Sequence, residues 1–547
     1  MPERERRWNG WGVAGERLSV PDAARAFLTE RLGSGDPLPA VPEAEVKLPA
    51  PRPLPPLPLP AATDDASRLR HACGSSLPDL IALRTGTVAA YPDAVCAPDT
   101  PEQVVELLRA AAAGGVTVIP RGGGTSVTGG VTVSAVDRPV VVLSLERLRG
   151  VAALDRGSQL ARVRAGTLGP ELEAALAPHG LRLGHEPQSF EFSSVGGWVA
   201  TRSAGQRSTG VGKIDDLVAG LEVATETGLW RLAAQPASAA GPELRRLLIG
   251  SEGRLGVITE ATLRLRPLPE CEDGLAVLLP GWAAGVDVCR ALLQNGVPVE
   301  TMRLADPEET RFGMTLVALS PLAARASRML FSRRRYRSGC LLLLGWAGTT
   351  QGMTLAEQTA ARHWRAAGGF AVGRAGWRRW RADRFRHPYL RDELLTAGWG
   401  VDTLETAAPW SGLEAVYGGV REALQRAAAS LGTRVVVGCH LSHAYRDGAS
   451  LYFTFLWPLA RGREVAQWGA LKGAANDALL AAGGTLSHHH GVGTIHAPYL
   501  EREVGRTGVA ALAALAHALD PAGVLNPGVL LLRTTDHGPR TTGGGEG

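Results

Sequence analysis

Val116-Thr-Val-Ile-Pro-Arg-Gly-Gly-Gly-Thr-Ser126 is the stretch that decides the fold. Val116 to Ile119 is a β-branched run that reads as a buried strand, and it opens directly into three glycines. Upstream the chain reads as a helix. Thr100 is its N-cap, Pro101 lies in its first turn, Gln103 completes a capping box, and Val104, Val105, Leu107 and Leu108 recur at helical spacing before Gly114-Gly115 stops it. The order is therefore helix, strand, glycine loop. Without Cβ atoms, backbone N–H groups can converge on a ligand, and Thr125 and Ser126 add hydroxyls, a nest that suits a pyrophosphate. The candidate binding residues are Pro120, Arg121, Gly122, Gly123, Gly124, Thr125 and Ser126. No lysine follows, so this is not a Walker loop, and it is not GxGxxG either; a plain turn is the competing reading.

Two further segments repeat this chemistry. Gly184-His-Glu-Pro-Gln-Ser-Phe-Glu-Phe-Ser-Ser-Val-Gly-Gly197 and Thr201-Arg-Ser-Ala-Gly205 combine hydroxyls with glycine, giving Gln188, Ser189, Phe190, Glu191, Phe192, Ser193, Ser194, Gly196, Gly197, Thr201, Arg202, Ser203 and Ala204 as candidates. The third, Gly250 to Ile258, offers Glu252, Gly253, Arg254, Leu255, Gly256, Val257 and Ile258 ahead of a strand expected over 261–268. Three small-residue loops can wrap an extended dinucleotide where one could not.

A chain of 547 residues, 45% hydrophobic and 20% charged, is too long for one core and globular in composition. No apolar run reaches the ~18 residues that span a bilayer, and the start lacks the apolar stretch of a leader, so a cytoplasmic protein is expected. The six cysteines stand singly, as reduced thiols would, with no CxxC pair or metal-like spacing to histidine; no metal is expected. Of 58 basic residues only Lys47, Lys213 and Lys472 are lysines. The arginine bias suits an anionic ligand, and GC-rich coding gives the same bias. Pro49 to Pro60 reads as an extended connector, and the tail 533–547 as disordered.

The three loops, in this order and spacing, resemble the FAD-binding domain of the vanillyl-alcohol oxidase and p-cresol methylhydroxylase superfamily, also called FAD-linked oxidase type 4. Leu519-Asp-Pro-Ala-Gly-Val-Leu-Asn-Pro527 resembles its C-terminal signature. The resemblance implies an α+β fold: a PCMH-type FAD-binding domain over 91–270, then a substrate (cap) domain over 271–480 built on an antiparallel sheet flanked by helices. A segment over 481–532 carries a histidine motif and helices over the flavin, and residues 1–90 form an N-terminal piece. Covalent FAD in this superfamily is often attached through histidine. His71, the one histidine ahead of the first loop, does not resemble such a site, so non-covalent FAD is expected.

Outside those loops the chain looks like the family of alkylglycerone-phosphate synthases. The resemblance rests on Trp8-Asn-Gly-Trp-Gly12, Gly184-His-Glu-Pro187, Val195-Gly-Gly-Trp-Val199, Pro388-Tyr-Leu-Arg-Asp392, Glu405-Thr-Ala-Ala-Pro-Trp410, His440-Leu-Ser-His-Ala-Tyr445, Leu451-Tyr-Phe-Thr-Phe455 and Leu486-Ser-His-His-His-Gly-Val-Gly493. It implies exchange of the acyl group of acyl-dihydroxyacetone phosphate for a fatty alcohol, with no net redox change. The partners so implied are a phosphorylated lipid precursor and a fatty alcohol. A homodimer and peripheral membrane contact are held open, and nucleic acid is excluded because the basic residues form one short cluster.

Arg391 matches the family's phosphate-binding arginine, a guanidinium fork suited to phosphate, against a reading as a surface arginine among Arg381, Arg384 and Arg386. Tyr452 matches the proposed acid/base, a phenol that neighbouring cations must tune to act at neutral pH. His488, His489 and His490, on a segment expected to be extended and without an acidic partner, suit proton handling better than a metal. Arg303 matches another arginine needed for activity, or forms a buried salt bridge. His440 and His443 are weaker candidates: one to support Tyr452, one packed in the core, with His443 counted beside Arg391 among substrate contacts. Thr494 stands where the family has lysine and Ser450 where it has cysteine, and Gly373 to Arg386 departs from it. Trp377, Trp380 and Phe385 there could meet lipid, although a solvated helix with buried aromatics is favoured. The alternative function is an FAD-dependent oxidase or dehydrogenase of a 2-hydroxy acid, whose Gly-Asp-Gly-Asn segment is missing; an inert flavin-binding protein is a third.

Overall fold

The computed structural model describes residues 5–316, 329, 331 and 334–533; apart from Arg533, the tail expected to be disordered lies outside them. The helix Pro101–Gly114 begins on Thr100, whose hydroxyl accepts the N–H of Gln103. Gln103 does not close the box on Thr100; its side chain takes the N–H of Asp99 at 2.7 Å. Val104, Leu107, Leu108 and Ala111 are fully or almost fully buried. Burial of a large aliphatic side chain is worth about 1.5–3 kcal/mol, against under about 1 kcal/mol for helix propensity. Packing therefore decides this element. The strand Thr117–Arg121 lies parallel to Val140–Ser144, which pairs in turn with Ala94–Cys96.

A five-stranded antiparallel sheet stands beside it, in the order Val151–Asp155, Leu160–Arg164, Val257–Arg264, Val218–Thr225, Gly228–Leu232. Its central strand starts four residues earlier than expected from sequence, because Val257 and Ile258 already pair with Ala224 and Val223. The C-terminal stretch returns to this half. The N–H of Val118 donates to Val524 (2.8 Å), and the Asn526 amide donates to the carbonyls of Gly130 (2.9 Å) and Glu252 (2.7 Å), tying two glycine loops together.

The second half is a seven-stranded antiparallel sheet in the order Phe370–Gly373, Cys271–Leu279, Cys340–Gly348, Thr301–Ala305, Val436–Ala444, Gly448–Pro458, Trp399–Pro409. Alternation along a strand sends neighbours to opposite faces. Leu451, Phe453 and Phe455 are wholly buried in the core that includes residues of the helices Trp282–Gln294, Leu413–Ser430 and Glu464–Ala481. Tyr452, Thr454 and Leu456 face a cavity instead.

The arginine-rich stretch forms the helix Arg374–Asp383, with Arg378 and Arg379 exposed on its outer face, in line with the favoured reading of a solvated helix that carries buried aromatics. Trp377 is buried on the sheet, and Phe385 stacks on Phe190 at 5.1 Å. Arg374 and Arg378 pair with Asp273, while Arg381 and Arg384 pair with Glu186, which also binds Arg207. The helix is thereby fastened to the flavin-side half of the molecule. All six cysteines are free.

An N-terminal strap locks the helix Tyr389–Thr396 in place. The buried Asp392 carboxylate accepts the N–H of Trp11 (2.8 Å) and Arg7 (3.0 Å), with Arg84 at 3.9 Å. Gly12, at φ 94°, is required here, since a Cβ would lie 2.1 Å from the Tyr389 ring. Asp392→Ala removes the acceptor of the Trp11 and Arg7 N–H groups and the counter-charge of buried Arg84, and is expected to cost about 3–5 kcal/mol. Thermal unfolding that is unchanged in this variant would contradict the clamp.

Candidate functional site

Both halves of the molecule line one cavity of about 1690 Å³. From the three loops, the wall takes Pro120, Gly122, Gly123, Gly124, Thr125, Ser126, Gln188, Ser189, Ser193, Ser194, Gly196, Gly197, Thr201, Ser203, Ala204, Glu252, Gly253, Gly256, Val257 and Ile258. These are almost all glycines, hydroxyls or small side chains, so backbone is presented to whatever fills the space. The loops also touch one another through glycine. A Cβ on Gly122 would lie 2.1 Å from Ser194 Oγ, and one on Gly123 1.7 Å from the Phe192 carbonyl. This is a cradle shaped for a long ligand with phosphates, and the FAD expected from sequence fits it.

Seven residues put forward for cofactor binding do not reach the wall. Arg121 is turned inward, donating to the carbonyls of Cys73 (2.7 Å) and Arg70 (3.1 Å). Arg202 pairs with Asp215, and Arg254 donates to the Leu525 carbonyl. Phe190 stacks on Trp198, Phe192 meets the edge of Trp11, and Leu255 belongs to the core. Glu191 also lies off the wall. Large or charged side chains in these loops serve the scaffold.

On the sheet side, Tyr452 is held between rings. His440 stacks on it at 4.8 Å, and His489 and His490 lie at 6.0 and 5.6 Å. His440 Nδ1 is 3.0 Å from Glu309, which also binds Arg303, so Arg303 both lines the cavity and sits in a salt bridge. Burial pushes the Glu309 carboxyl up, but His440 and Arg303 outweigh it and leave it at about 2. Burial pushes the Tyr452 phenol up to about 12, opposed by a hydrogen bond to Thr403, with Arg303 a weaker pull. Neighbouring cations do not bring the phenol down toward neutral pH, because desolvation outweighs them. His443, at φ 47°, packs on the rings of His488 and His489 at 5.5 and 5.2 Å and lines the cavity.

Arg391 is no surface arginine. Its guanidinium lines the cavity, one nitrogen donating to the Ser75 carbonyl at 2.8 Å, while buried Nε has no hydrogen-bond partner among the described residues. Thr494, in place of the family's lysine, docks on the first loop through its N–H to Thr128 (3.0 Å). Nothing in the structure explains Ser450, whose buried hydroxyl has no hydrogen-bond partner among the described residues.

The triple histidine is neither extended nor without an acid. It bends around Glu405, on the strand next to Tyr452 and directly opposite it in register. The carboxylate accepts the N–H groups of His488 (2.6 Å), His489 (3.1 Å) and His490 (2.8 Å) and the Ser487 hydroxyl (2.7 Å). Burial alone would raise its pKa, but the three imidazoles and Ser487 hold it well below the usual carboxylate range. Glu405, His488 and His489 put ligand atoms within 4.8 Å of one another, yet with four hydrogen bonds already made the carboxylate's work is to hold the loop. Glu252 grips the next residues, accepting the N–H of Val492 (2.7 Å) and Gly493 (2.8 Å). Glu405 and Glu309 were missed from sequence. An acidic residue inside the apolar strand Val401 to Ala408 was the available signal for the first.

Comparison with known proteins agrees with this geometry. Residues 92–233 match the model of an FAD binding domain, and residues 268–530 that of the C-terminal domain of FAD linked oxidases. A solved p-cresol methylhydroxylase superposes with a TM-score of 0.67 over 87% of this chain and 94% of its own, at 15% identity, which is a likeness of fold. A solved alkyldihydroxyacetonephosphate synthase gives 0.83 over 95% of this chain and 98% of its own, at 28% identity. The alkyldihydroxyacetonephosphate synthase of Dictyostelium discoideum is 31% identical over 475 residues, 86% of this chain and 78% of that protein. Cradle and matches together define an FAD-dependent enzyme of the FAD-linked oxidase fold. Within that class, the chain belongs to the alkyldihydroxyacetonephosphate synthase family.

The buried histidines set the pH response. Burial, foremost, lowers His185, His443 and His496 to about 3 and the half-buried His71 to about 4, from an ordinary value of 6.5. The unfolded chain then binds more protons below pH 6.5, so their contribution falls as pH drops through that window. Glu252 and Asp306, raised by burial to about 7 and about 6, act oppositely, their contribution being lost as pH rises through those values. Those four, joined by His440, His488, His489 and His490, which burial lowers as well, outweigh the two, and Tm is expected to fall from pH 7 to pH 5; calorimetry showing an equal or higher Tm at pH 5 would contradict this.

Proposed function

We propose that the protein exchanges the acyl group of acyl-dihydroxyacetone phosphate for a fatty alcohol, forming an ether bond without net redox change. The observation that carries the reading is that one cavity holds both a phosphate receptor and a proton-handling cluster, in a chain of this family. Arg391, on the cavity wall with one guanidinium nitrogen bonded to the Ser75 carbonyl, offers the rest of its fork to the phosphate, a charge-assisted pair of the strong kind. The same cavity is lined in part by Met302, Phe312, Leu343, Phe370, Val372 and Leu456, apolar side chains that suit a long aliphatic chain.

FAD, bound in the cradle, supplies an electron-accepting ring that lets the substrate carbon change partners without an outside oxidant. The protein's residues handle the protons. His489 and His490 line the cavity and are kept neutral by burial, so each has a lone pair with which to take the C1 proton. Tyr452, with its phenol near 12, holds its proton at neutral pH, lends it to the acyl oxygen as the carboxylic acid departs, and regains one from the hydroxyl of the attacking alcohol. Arg303 and His440 orient that phenol from one side.

No helix among the described residues is long and apolar enough to cross a membrane. Phe370 and Val372, on the cavity wall, are about half exposed, which supports peripheral contact with a lipid surface as the source of the alcohol.

Purified FAD-loaded protein, given acyl-dihydroxyacetone phosphate and labelled hexadecanol with no electron acceptor, is expected to make ether over many turnovers. Tyr452→Phe is expected to lower kcat by about 10²-fold or more with FAD retained. Bleaching of the flavin by a 2-hydroxy acid, with no ether formed, would move the protein to the dehydrogenase class.

A further inference from the structure

The geometry points to a proton relay: we propose that Tyr445, outside the cavity, ends a hydrogen-bonded chain running from the cavity wall through His489 and His488 to the surface of the sheet. His489 lines the cavity, whereas neither His488 nor Tyr445 does. His489 Nδ1 is 2.9 Å from His488 Nδ1, and His488 Nε2 is 2.6 Å from the Tyr445 hydroxyl. Both nitrogens of His488 are thus engaged, one facing inward and one outward. Tyr445 is half-buried and opens the turn Tyr445-Arg-Asp447 between the strands Val436–Ala444 and Gly448–Pro458, where Arg446 and Asp447 are exposed. The line has no gap wider than a hydrogen bond.

The chemistry of the contacts favours transfer over a static brace. Two Nδ1 atoms can bond only if one carries hydrogen and the other a lone pair, and either ring can play either part. The accepting ring must then be neutral, and burial disfavours the charged form of both; Lys213, beside His488 and bonded to its carbonyl, adds to the effect on that ring. A neutral imidazole accepts a proton at one nitrogen as it gives one up at the other.

In the outward direction, a proton taken at His489 Nε2 releases the Nδ1 proton to His488 Nδ1. His488 Nε2 passes its own proton to the Tyr445 oxygen, and the tyrosine hydroxyl proton goes to water. Every group ends with the charge it began with. The inward transfer is the reverse and restores the starting arrangement. The proposed exchange removes one proton from C1 and returns one, so the relay would reset in each turnover. This use rests on the proposed function; the existence of the relay does not.

The test uses the full FAD-loaded chain and Tyr445→Phe, which keeps the ring and removes only the hydroxyl. With ¹⁵N-labelled histidine, the wild type is expected to show a strongly downfield exchangeable proton shared by two Nδ1 nitrogens, and Tyr445→Phe a shifted His488 Nε2. Absence of the shared proton together with an unshifted Nε2 would overturn the relay, whatever the substrate. With acyl-dihydroxyacetone phosphate in heavy water, Tyr445→Phe is expected to slow deuterium entry at C1 and ether formation by about 10-fold. KM should be unchanged, and added imidazole should restore the rate. Wild-type rates for both in the variant would overturn the relay's use in turnover. Wild-type protein that makes no ether would defeat the functional reading instead, and the nitrogen spectra would then decide the relay alone.

Discussion

The buried carboxylate of Glu405, accepting three successive backbone N–H groups and one hydroxyl, is the interaction on which the rest of the site depends. Three consecutive imidazoles have no intrinsic reason to face one cavity, since a free chain would splay them. Pinning their amides to one acceptor bends the segment and fixes where each ring goes. His490 and His489 reach the cavity and Tyr452, while His488 turns away toward Tyr445. Because Glu405 and Tyr452 are register partners on adjacent strands, loop and phenol are located by the same pair of strands. A buried charge hydrogen-bonded on this scale is costly to form and more costly to leave half-made, so the loop has essentially one arrangement.

A similar economy holds where the halves meet. Glu252 belongs to the third flavin loop yet holds Val492 and Gly493 of the histidine loop, and Asn526 binds the first and third flavin loops together. Position of the cofactor cradle and position of the proton-handling groups are therefore coupled through backbone. On the opposite side, Asp392 joins the N-terminal strap to the helix carrying Arg391, and the Glu186 cluster fastens the arginine-rich helix. The cavity is bounded throughout by elements that carboxylates hold in place.

Much of this was legible in the sequence because it is local. The helix at Pro101, the strand into Gly122 and the three glycine loops follow from capping, β-branching and missing side chains, and each depends on neighbours in the chain. Family resemblance extended the reading to Tyr452, Arg391 and the histidines, all of which reach the cavity wall except His488. What could not be read depends on pairing across long separations. The role of Glu405 appears only once the strand Trp399–Pro409 is laid beside Gly448–Pro458. The inward turn of Arg121 follows from carbonyls about fifty residues away. The direction of the Tyr452 pKa was misjudged because residue type reveals nearby charge more readily than burial. The ion pairs of the arginine-rich helix were not legible because its partners, Glu186 and Asp273, lie on other elements.

Backbone hydrogen exchange over residues 486–493, compared between the FAD-loaded wild type and Glu405→Gln, tests most directly whether one carboxylate organises the catalytic wall. The amides of His488, His489 and His490 should be strongly protected in the wild type. In the variant they should lose protection, while the helix Pro101–Gly114 and the strand Thr117–Arg121 keep theirs. Equal protection of the three histidine amides in both proteins would contradict the account.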